Sequence, residues 1–325
     1  MVLSWLLQSF YELKTKASHN IPIINKISFV TSINWYYLNK HIMSRRNLLY
    51  PFFIVLFLLS CKETEVAPQQ SSSLDGKHLL LGNPSGATTD VNNFNNYLVE
   101  IPQYALSYSR DRGTPNWVSW YVSKDWLGTA DRQDDFRADQ SLPEGWYKVV
   151  ASSYTSSGFD RGHNTPSADR TRTVEDNSAT FLMTNMIPQA PNHNRQTWAN
   201  LEDYTRDLVD SGMEVYVIMG SYGSGGTGSN GLAHTIDQGR VTVPNRIWKV
   251  LLILPEGIND LGRINSSTRV IAIDTPNNNS INSDWGAYRT TVDAIEIATG
   301  YDLLSSLAKE LQETLERQTD RGPTR

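Results

Sequence analysis

The clearest candidate for chemistry is a short segment that ends in a histidine. Residues 158–163 read GFDRGH, so a carboxylate (Asp160), a guanidinium (Arg161) and an imidazole (His163) follow one another closely. An imidazole can accept a proton near neutral pH, and a guanidinium binds oxyanions such as phosphate through paired hydrogen bonds. The tripeptide DRG also occurs at 111–113 and 320–322, but neither copy is followed by histidine. His163 therefore distinguishes this copy, although a histidine in a surface turn is the alternative interpretation.

A second group of polar residues follows at fixed distances along the chain. Asn185 lies 22 residues after His163. Asn194 follows nine residues later, and Glu202 a further eight residues along. Amide and carboxylate oxygens are ligands that Mg²⁺ accepts while it retains most of its water molecules. Structural interpretations remain open, because Asn194 could cap a helix and Glu202 could pair with Arg206 at i,i+4.

These residues fall into four ordered blocks, which are DRGH at 160–163, TNMIPQ at 184–189, NRQTW at 194–198, and Glu202. The set closely resembles the DNA/RNA non-specific endonuclease family, the ββα-metal nucleases whose signature is D-R-G-H. The resemblance covers about residues 74–310. It includes the flanking stretches 78–85, 104–120 and 243–249. It implies an α+β chain with the ββα-metal nuclease fold, in which helices flank a central, mainly antiparallel sheet.

The resemblance also implies roles for the proton-transfer and metal residues. His163 would be the general base that takes a proton from water, so activity would rise with pH as the imidazole loses its proton. Asn194 would be the direct ligand of Mg²⁺, with Mn²⁺ as an alternative cofactor. Glu202 would hold water molecules of the metal from outside its first coordination sphere. His193 has no role in the family pattern, and Asp160 is expected to be structural.

The remaining site residues are assigned in the same way. Asn185 would orient His163 or the site around it. Arg161 and Arg132 would bind the phosphate during hydrolysis, since the developing charge on its oxygens must be stabilised. The match around 132–139 is loose, so Arg137 could take the place of Arg132.

The resemblance thus predicts an endonuclease that cleaves DNA and RNA with little sequence preference, because it contacts phosphates and not base edges. The alternatives are a hydrolase limited to DNA or a small phosphodiester, and a non-catalytic surface lipoprotein that uses the fold for binding. Beyond residue 61 the chain has 23 basic and 33 acidic residues, a net charge of −10. Nucleic acid must therefore bind in a local basic cleft, which we expect to contain Arg132, Arg161, Arg170 and Arg195.

Hydrophobic patterning predicts the elements that position these residues. Apolar and β-branched runs predict strands at 117–124, 214–219, 248–254 and 269–273, with a strand or buried segment at 180–186. Helical spacing predicts helices at 194–210, 291–298 and 301–317. The strands outnumber the helices and do not alternate with them, which favours α+β. The glycine-rich stretch 221–231 lacks the residues of a phosphate-binding loop and is interpreted as a flexible connection.

The first part of the chain resembles an export signal. Arg45 and Arg46 precede the apolar run 48–60, and Cys61, the only cysteine, ends a stretch that resembles a bacterial lipobox. We therefore expect acylation at Cys61 and a lipid-anchored protein of the bacterial cell envelope, expected at the outer membrane. A plain signal peptide is the alternative.

This interpretation divides the chain into five segments. They are an extension upstream of the true start (1–42), a lipoprotein signal peptide (43–60), a flexible tether (61–73), the nuclease domain (74–317) and a disordered tail (318–325). A genuine N-terminal extension is the alternative for the first segment. The sequence leaves the oligomeric state open.

Overall fold

The computed structural model describes residues 75–325. The predicted extension, signal peptide, acylation site at Cys61 and tether lie outside the described residues. Within the described part, no helix is both long enough and apolar enough to cross a membrane.

Strands dominate the described part of the chain. They are β1 (Tyr97–Ile101), β2 (Tyr104–Ser109), β3 (Thr114–Val122), β4 (Asp160–His163), β5 (Met186–Gln189), β6 (Met213–Tyr222), β7 (Gly226–Gly228), β8 (Gly231–Ala233), β9 (Thr235–Ile236), β10 (Val241–Thr242), β11 (Arg246–Pro255), β12 (Arg269–Pro276) and β13 (Arg289–Thr290). The helices are α1 (Val174–Ala179), α2 (Ala199–Asp210), α3 (Asp260–Arg263), α4 (Val292–Thr299) and α5 (Lys309–Glu316). Single 3₁₀ turns are Lys124–Trp126, Ala151–Tyr154, Ser167–Asp169, Met183–Asn185, Asp237–Gly239 and Trp285–Tyr288, and one π-helical turn covers His193–Trp198.

Seven strands form the main sheet in the order β1-β2-β3-β6-β11-β12-β13. Every neighbouring pair is antiparallel. The longest pairing joins β6 to β11 over ten residues, from Tyr222 opposite Arg246 to Met213 opposite Pro255. The predicted α+β class with a mainly antiparallel sheet and flanking helices is confirmed.

The main sheet is buried on both faces, which explains why its central strands are continuously apolar. Side chains of a strand alternate between faces. Val215, Val217 and Met219 of β6 pack in one core with Trp198 and Leu201 from the π turn and α2. The intervening residues of β6 pack in a second core with α4 and α5, a core that includes Tyr216, Ile218, Val292, Ile295 and Leu315. The two groups of helices therefore cover opposite faces of the sheet.

A small two-stranded sheet carries the DRGH segment. Its strands β4 and β5 are antiparallel, with Asp160 opposite Gln189 and His163 opposite Met186. The π turn and α2 follow β5 directly, so the chain forms the ββα unit that the resemblance implies.

The structure corrects several predicted elements. The predicted helix 194–210 begins with a π-helical turn, and the predicted helix 301–317 is helical only in α5. The segment 180–186 is buried, but its strand begins only at Met186. The glycine-rich stretch contains the hairpin of β7 and β8, so it is structured.

The predicted disordered tail is also wrong in part. Asp320 is 4% exposed at its side chain and pairs with Arg269 and Arg289 at 2.8 and 2.9 Å. Two guanidiniums on neighbouring strands thus hold this third DRG copy against the sheet, which gives it a structural role.

Candidate active site

His163 ends β4 in an aromatic setting with one unpaired ring nitrogen. Its ring contacts Phe181 edge-on, with centroids 5.0 Å apart, and lies 5.5 Å from Phe136. Its Nε2 is buried and has no hydrogen-bond partner. Burial, followed by the positive charges of Arg132 and Arg161, lowers the pKa of His163 to about 3. The ring is therefore neutral at physiological pH and can accept a proton.

The two arginines beside His163 are held by the same aromatic rings. The guanidinium of Arg161 lies 4.0 Å from the Phe136 centroid, and that of Arg132 lies 4.8 Å from the Phe181 centroid. Arg132 also donates to Ser167 Oγ and pairs with Asp134. No ion pair of Arg161 occurs among residues 75–325, so its charge is available to a phosphate.

Arg137, the alternative to Arg132, is engaged elsewhere. Its guanidinium binds the Asp135 carboxylate at 2.6 Å and the Ser178 carbonyl at 2.8 Å. Arg132 lies close enough to His163 for its charge to lower the pKa of that ring. The geometry therefore favours Arg132 as the partner of Arg161.

Asn185 braces the turn that follows His163. It is fully buried, and its Oδ1 accepts from the Thr165 N–H at 3.0 Å. Its Nδ2 donates to the carbonyls of Thr165 and Thr180, both at 2.9 Å. Both ends of the amide are therefore occupied, and Asn185 holds the backbone of this turn in place.

The glycine of DRGH is required by the close approach of β5. A Cβ on Gly162 would lie 2.1 Å from Gln189 Oε1 and 2.6 Å from Gln189 Cβ. Gln189 in turn hydrogen-bonds His193, with 2.6 Å between Nε2 and Nδ1. Thr275 Oγ1 donates to the Ile247 carbonyl, so it accepts from His193 Nε2 at 2.8 Å. Both ring nitrogens of buried His193 are therefore used, and neither is left for water.

Asn194 lies in the π-helical turn and is oriented by Asp160. Its Nδ2 donates to Asp160 Oδ2 at 2.9 Å, and Arg195 binds both oxygens of the same carboxylate at 2.9 and 2.7 Å. With the amide nitrogen committed, Oδ1 is the end of Asn194 that can act as a ligand. These contacts of Asp160 fix the direction of the Asn194 amide.

Glu202 lies on α2, next to the buried ammonium group of Lys249. Its Oε1 is 3.5 Å from Lys249 Nζ, and 18% of its side chain is exposed. Burial raises the pKa of Glu202 to about 7, and Lys249 opposes the shift. Arg206 instead binds Asp169 and Asp203, so it does not make the simple i,i+4 pair with Glu202.

A polar cleft of about 330 Å³ brings together three of the six predicted site residues, namely Arg132, Arg161 and Asn194. Its lining includes Arg132, Asp160, Arg161, Asn194 and Arg195. His163, Asn185 and Glu202 are not part of that lining, although the charges of Arg132 and Arg161 act on His163. Of the three aromatic side chains in the lining, Phe159 belongs to the GFDRGH segment, but Phe136 and Tyr154 were not predicted, because nothing in their spacing links them to the motif.

Arg170 was expected in the cleft, and this prediction is wrong. Its side chain is fully buried and donates to the carbonyls of Gln103, Tyr121 and Asp169. Its guanidinium also lies 4.2 Å from the Trp126 ring. These contacts give Arg170 a structural role, which its arginine identity alone could not reveal.

The cleft residues fit a hard divalent cation. Asn194 presents a neutral amide oxygen whose nitrogen is already bound to Asp160, and the Glu202 carboxylate, outside the cleft lining, lies eight residues further along the chain in α2. Such oxygen ligands suit Mg²⁺ or Mn²⁺. Fold and site together define a ββα unit that carries a neutral histidine, an amide oxygen without a committed partner in the described chain and a group of arginines.

Comparisons with known proteins agree with this class. The family model described as DNA/RNA non-specific endonuclease matches residues 83–310. A nuclease of Nostoc sp. is 49% identical over 257 residues, which cover 79% of this chain and 89% of that protein. Human mitochondrial endonuclease G is 34% identical over 161 residues, 47% of this chain and 54% of that protein.

A similar fold occurs in a solved structure described as the EndoG/EndoGI complex. The TM-score is 0.58 at 22% identity, with 74% of this chain and 96% of that chain covered. The chain therefore belongs to the DNA/RNA non-specific endonuclease family, a family of metal-dependent nucleases.

Proposed function

We propose that the protein is a Mg²⁺-dependent endonuclease that hydrolyses phosphodiester bonds in DNA and RNA with His163 as general base. The observation that carries the proposal is the unpaired Nε2 of a neutral His163 beside Arg132 and Arg161. A neutral imidazole without a hydrogen-bond partner can take a proton, and the two cations beside it attract the phosphate that must be attacked.

Each of these residues has a different role in the proposed hydrolysis. His163 Nε2 removes a proton from the attacking water as its oxygen bonds to phosphorus, and the bond from phosphorus to the leaving sugar oxygen breaks. Arg161 and Arg132 stabilise the negative charge that develops on the non-bridging oxygens. Asn185 and Phe181 keep the imidazole in place, since one holds the following turn and the other packs against the ring.

Asn194 would hold the metal through Oδ1, and Glu202 would act on it through water. A bound divalent ion supplies neutralisation of phosphate charge and of the leaving oxygen. We propose Mg²⁺, with Mn²⁺ able to replace it, because both accept oxygen ligands of this kind.

The proposed substrates are both nucleic acids, bound through their phosphates. The charged cleft residues are three arginines and two carboxylates, Asp134 and Asp160. These groups recognise charge and backbone geometry but carry no pattern that reads a base edge. Weak sequence preference follows from that chemistry.

The lipid anchor remains part of the proposal. We infer acylation at Cys61 and attachment to the cell envelope, supported by the basic pair, apolar run and lone cysteine. The intact mass of membrane-extracted protein tests it. A diacylglycerol mass on a chain that begins at Cys61 is expected, and an unmodified N-terminus contradicts the anchor without affecting the nuclease proposal.

The decisive test is cleavage of plasmid DNA and of a long RNA by wild type and His163→Ala, each with Mg²⁺ or with chelator. Loss of a positioned base should lower the rate about 10²–10⁴-fold, and chelator should abolish cleavage of both substrates. His234→Ala is the matched control because His234 is exposed and away from the cleft lining. A folded His163→Ala protein that cleaves at the wild-type rate would overturn the assignment.

A further inference from the structure

A cluster of carboxylates joins α4 to α5, away from the nuclease cleft. Carboxylate oxygens of Asp293, Glu296 and Glu316 all lie within 4.8 Å of one another. Asp293 and Glu296 share a face of α4 at i,i+3, and Glu316 is the last residue of α5. No ion pair among residues 75–325 includes any of the three.

Glu316 makes this cluster more than a group of surface acids. It is only 4% exposed, and its Oε1 is buried without a hydrogen-bond partner. It also lies at the C-terminal end of a helix, where the backbone carbonyls disfavour a negative charge. A buried, unpartnered carboxylate oxygen in a cluster of like charges requires a proton or a cation to neutralise it.

The surroundings supply little positive charge of their own. Asp302 adds a further carboxylate nearby, although its Oδ1 accepts from Gln312 Nε2. Glu296 Oε1 accepts the Leu303 N–H at 2.7 Å. The charge of Lys309 reaches Glu316 only weakly, and Arg317 pairs with Glu313.

Burial and the neighbouring carboxylates raise the pKa of Glu296 to about 7 and also raise the pKa of Glu316. Because protons and cations compete for the same oxygens, a metal at this place should bind more tightly as the pH rises.

We propose that Asp293, Glu296 and Glu316 bind a Ca²⁺ ion that ties α4 to α5. Ca²⁺ accepts about six to eight oxygen ligands in a flexible geometry, whereas Mg²⁺ demands a near-ideal octahedron and keeps several of its waters. Three carboxylates from two helices, with oxygens within 4.8 Å of one another, fit the ion that tolerates irregular coordination. Water and the remaining carboxylate oxygens complete its coordination.

The site is separate from the catalytic metal in both place and role. The two helices cover one face of the main sheet through Val292, Ile295 and Leu315. The π turn and α2, which carry Asn194 and Glu202, cover the opposite face. The Ca²⁺ ion would therefore stabilise the fold and leave the chemistry of the cleft unchanged.

Thermal unfolding of the full chain tests the proposal. Chelator-stripped protein is returned to saturating MgCl₂ at pH 8 and melted with and without CaCl₂. At about 100 times its Kd, Ca²⁺ should raise the Tm of wild type by about 5 °C or more. Glu316→Gln should show no such shift, and calorimetric titration should find one Ca²⁺ fewer than in wild type.

Controls separate this site from general effects of calcium. Glu313→Gln changes an exposed residue of the same helix and should keep the full shift. Without Ca²⁺, Glu316→Gln should melt at or above the wild-type temperature because it removes a repelling charge. Asp293→Asn, at a partly exposed position, provides a second variant. An unshifted wild type would mean that protons alone neutralise the cluster. That result, or an equal shift in Glu316→Gln, would overturn the proposal.

Discussion

At the scale of single residues, His163 must stay neutral beside groups that attract phosphate. Burial and two guanidiniums achieve this by lowering its pKa to about 3. The same shift makes the ring a weak base, because proton transfer is most efficient when the pKa lies near the working pH. A phosphate bound beside Arg132 and Arg161 would cancel their charge and raise the pKa again. Substrate binding would therefore strengthen the base.

Because substrate binding raises the pKa of His163, kcat/KM and kcat should have different pH profiles. The first reports groups of the free enzyme and the second groups of the substrate complex. We expect kcat/KM to show no decline due to His163 as the pH falls from 8 to about 5. The decline of kcat should instead have its midpoint at a pH nearer 6.5, the ordinary pKa of the imidazole. This expectation replaces the simple rise of activity with pH that the sequence predicts. Steady-state cleavage rates across that range decide it, and a His163-dependent limb near 6.5 in kcat/KM would contradict the argument.

Asp160 orients the metal ligand, so its removal should weaken metal binding more than it slows the chemical step. In Asp160→Asn the carboxylate that accepts from Asn194 and pairs with Arg195 is lost. Changes to partners of this kind typically cost about 10–100-fold in metal affinity. We expect the Mg²⁺ concentration for half-maximal activity to rise by that factor, with most of the rate recovered at saturating Mg²⁺.

Asn194→Ala is the comparison for this measurement. It removes the ligand itself, so added Mg²⁺ should not restore the rate. If Asp160→Asn were equally beyond rescue, Asp160 would have a direct part in the reaction and not a positioning one.

At the scale of elements, the sequence predicts the buried strands well because their apolar runs are long and uninterrupted. The predicted strands at 214–219 and 248–254 are the cores of β6 and β11. β1 and β2 have no such run: β1 is only five residues long and contains Glu100, and β2 contains two serines. Those two strands were consequently missed.

In the site, motif spacing predicts some residues, but it cannot show the contacts that other residues make in the fold. The motif spacing identifies His163, Asn194 and Arg161, since each belongs to a recognisable block. It could not show that Arg170 is buried against carbonyls, because an arginine that binds a phosphate and one that binds a backbone look identical in sequence. The π turn at Asn194 was also unpredictable, since one contact of its His193 comes from Thr275, on a strand distant in the chain.

His193 anchors that π turn, and its loss should destabilise the fold. His193→Ala leaves the buried side chains of Gln189 and Thr275 without their partner. We expect a loss of about 2–4 kcal/mol in the free energy of unfolding, measured by urea denaturation, with most of the cleavage rate kept well below the Tm. His234→Ala should be neutral, and a stable but inactive His193→Ala protein would contradict this structural role.

The pH dependence of stability provides a second measure of the same residue. Burial lowers the pKa of His193 to about 3, so the unfolded chain binds a proton near its ordinary value of 6.5 while the folded chain stays neutral. Stability is therefore lost as the pH falls from about 6.5 toward 3. His193→Ala should show a shallower loss over that window.

At the scale of the whole molecule, a negatively charged chain must bind a polyanion. The net charge of −10 beyond residue 61 repels nucleic acid at long range, so attraction depends on a few arginines at close range. Arg195 is 68% exposed at its side chain while it pairs with Asp160, and Arg161 has no ion pair within the described chain. Together with Arg132, they give about three phosphate contacts.

This number of contacts predicts the salt dependence of binding. Each neutralised phosphate releases counterions, so log K should fall with log salt with a slope of about −3 on duplex DNA. Arg161→Ala should reduce the slope by about one and weaken binding equally across sequences. Arg321→Ala, which changes an exposed arginine outside the cleft lining, should leave it unchanged. Fluorescence anisotropy with a labelled duplex in Ca²⁺, at several salt concentrations, measures the slope. An equal decrease in Arg321→Ala would show that the diffuse surface charge and not the cleft determines binding.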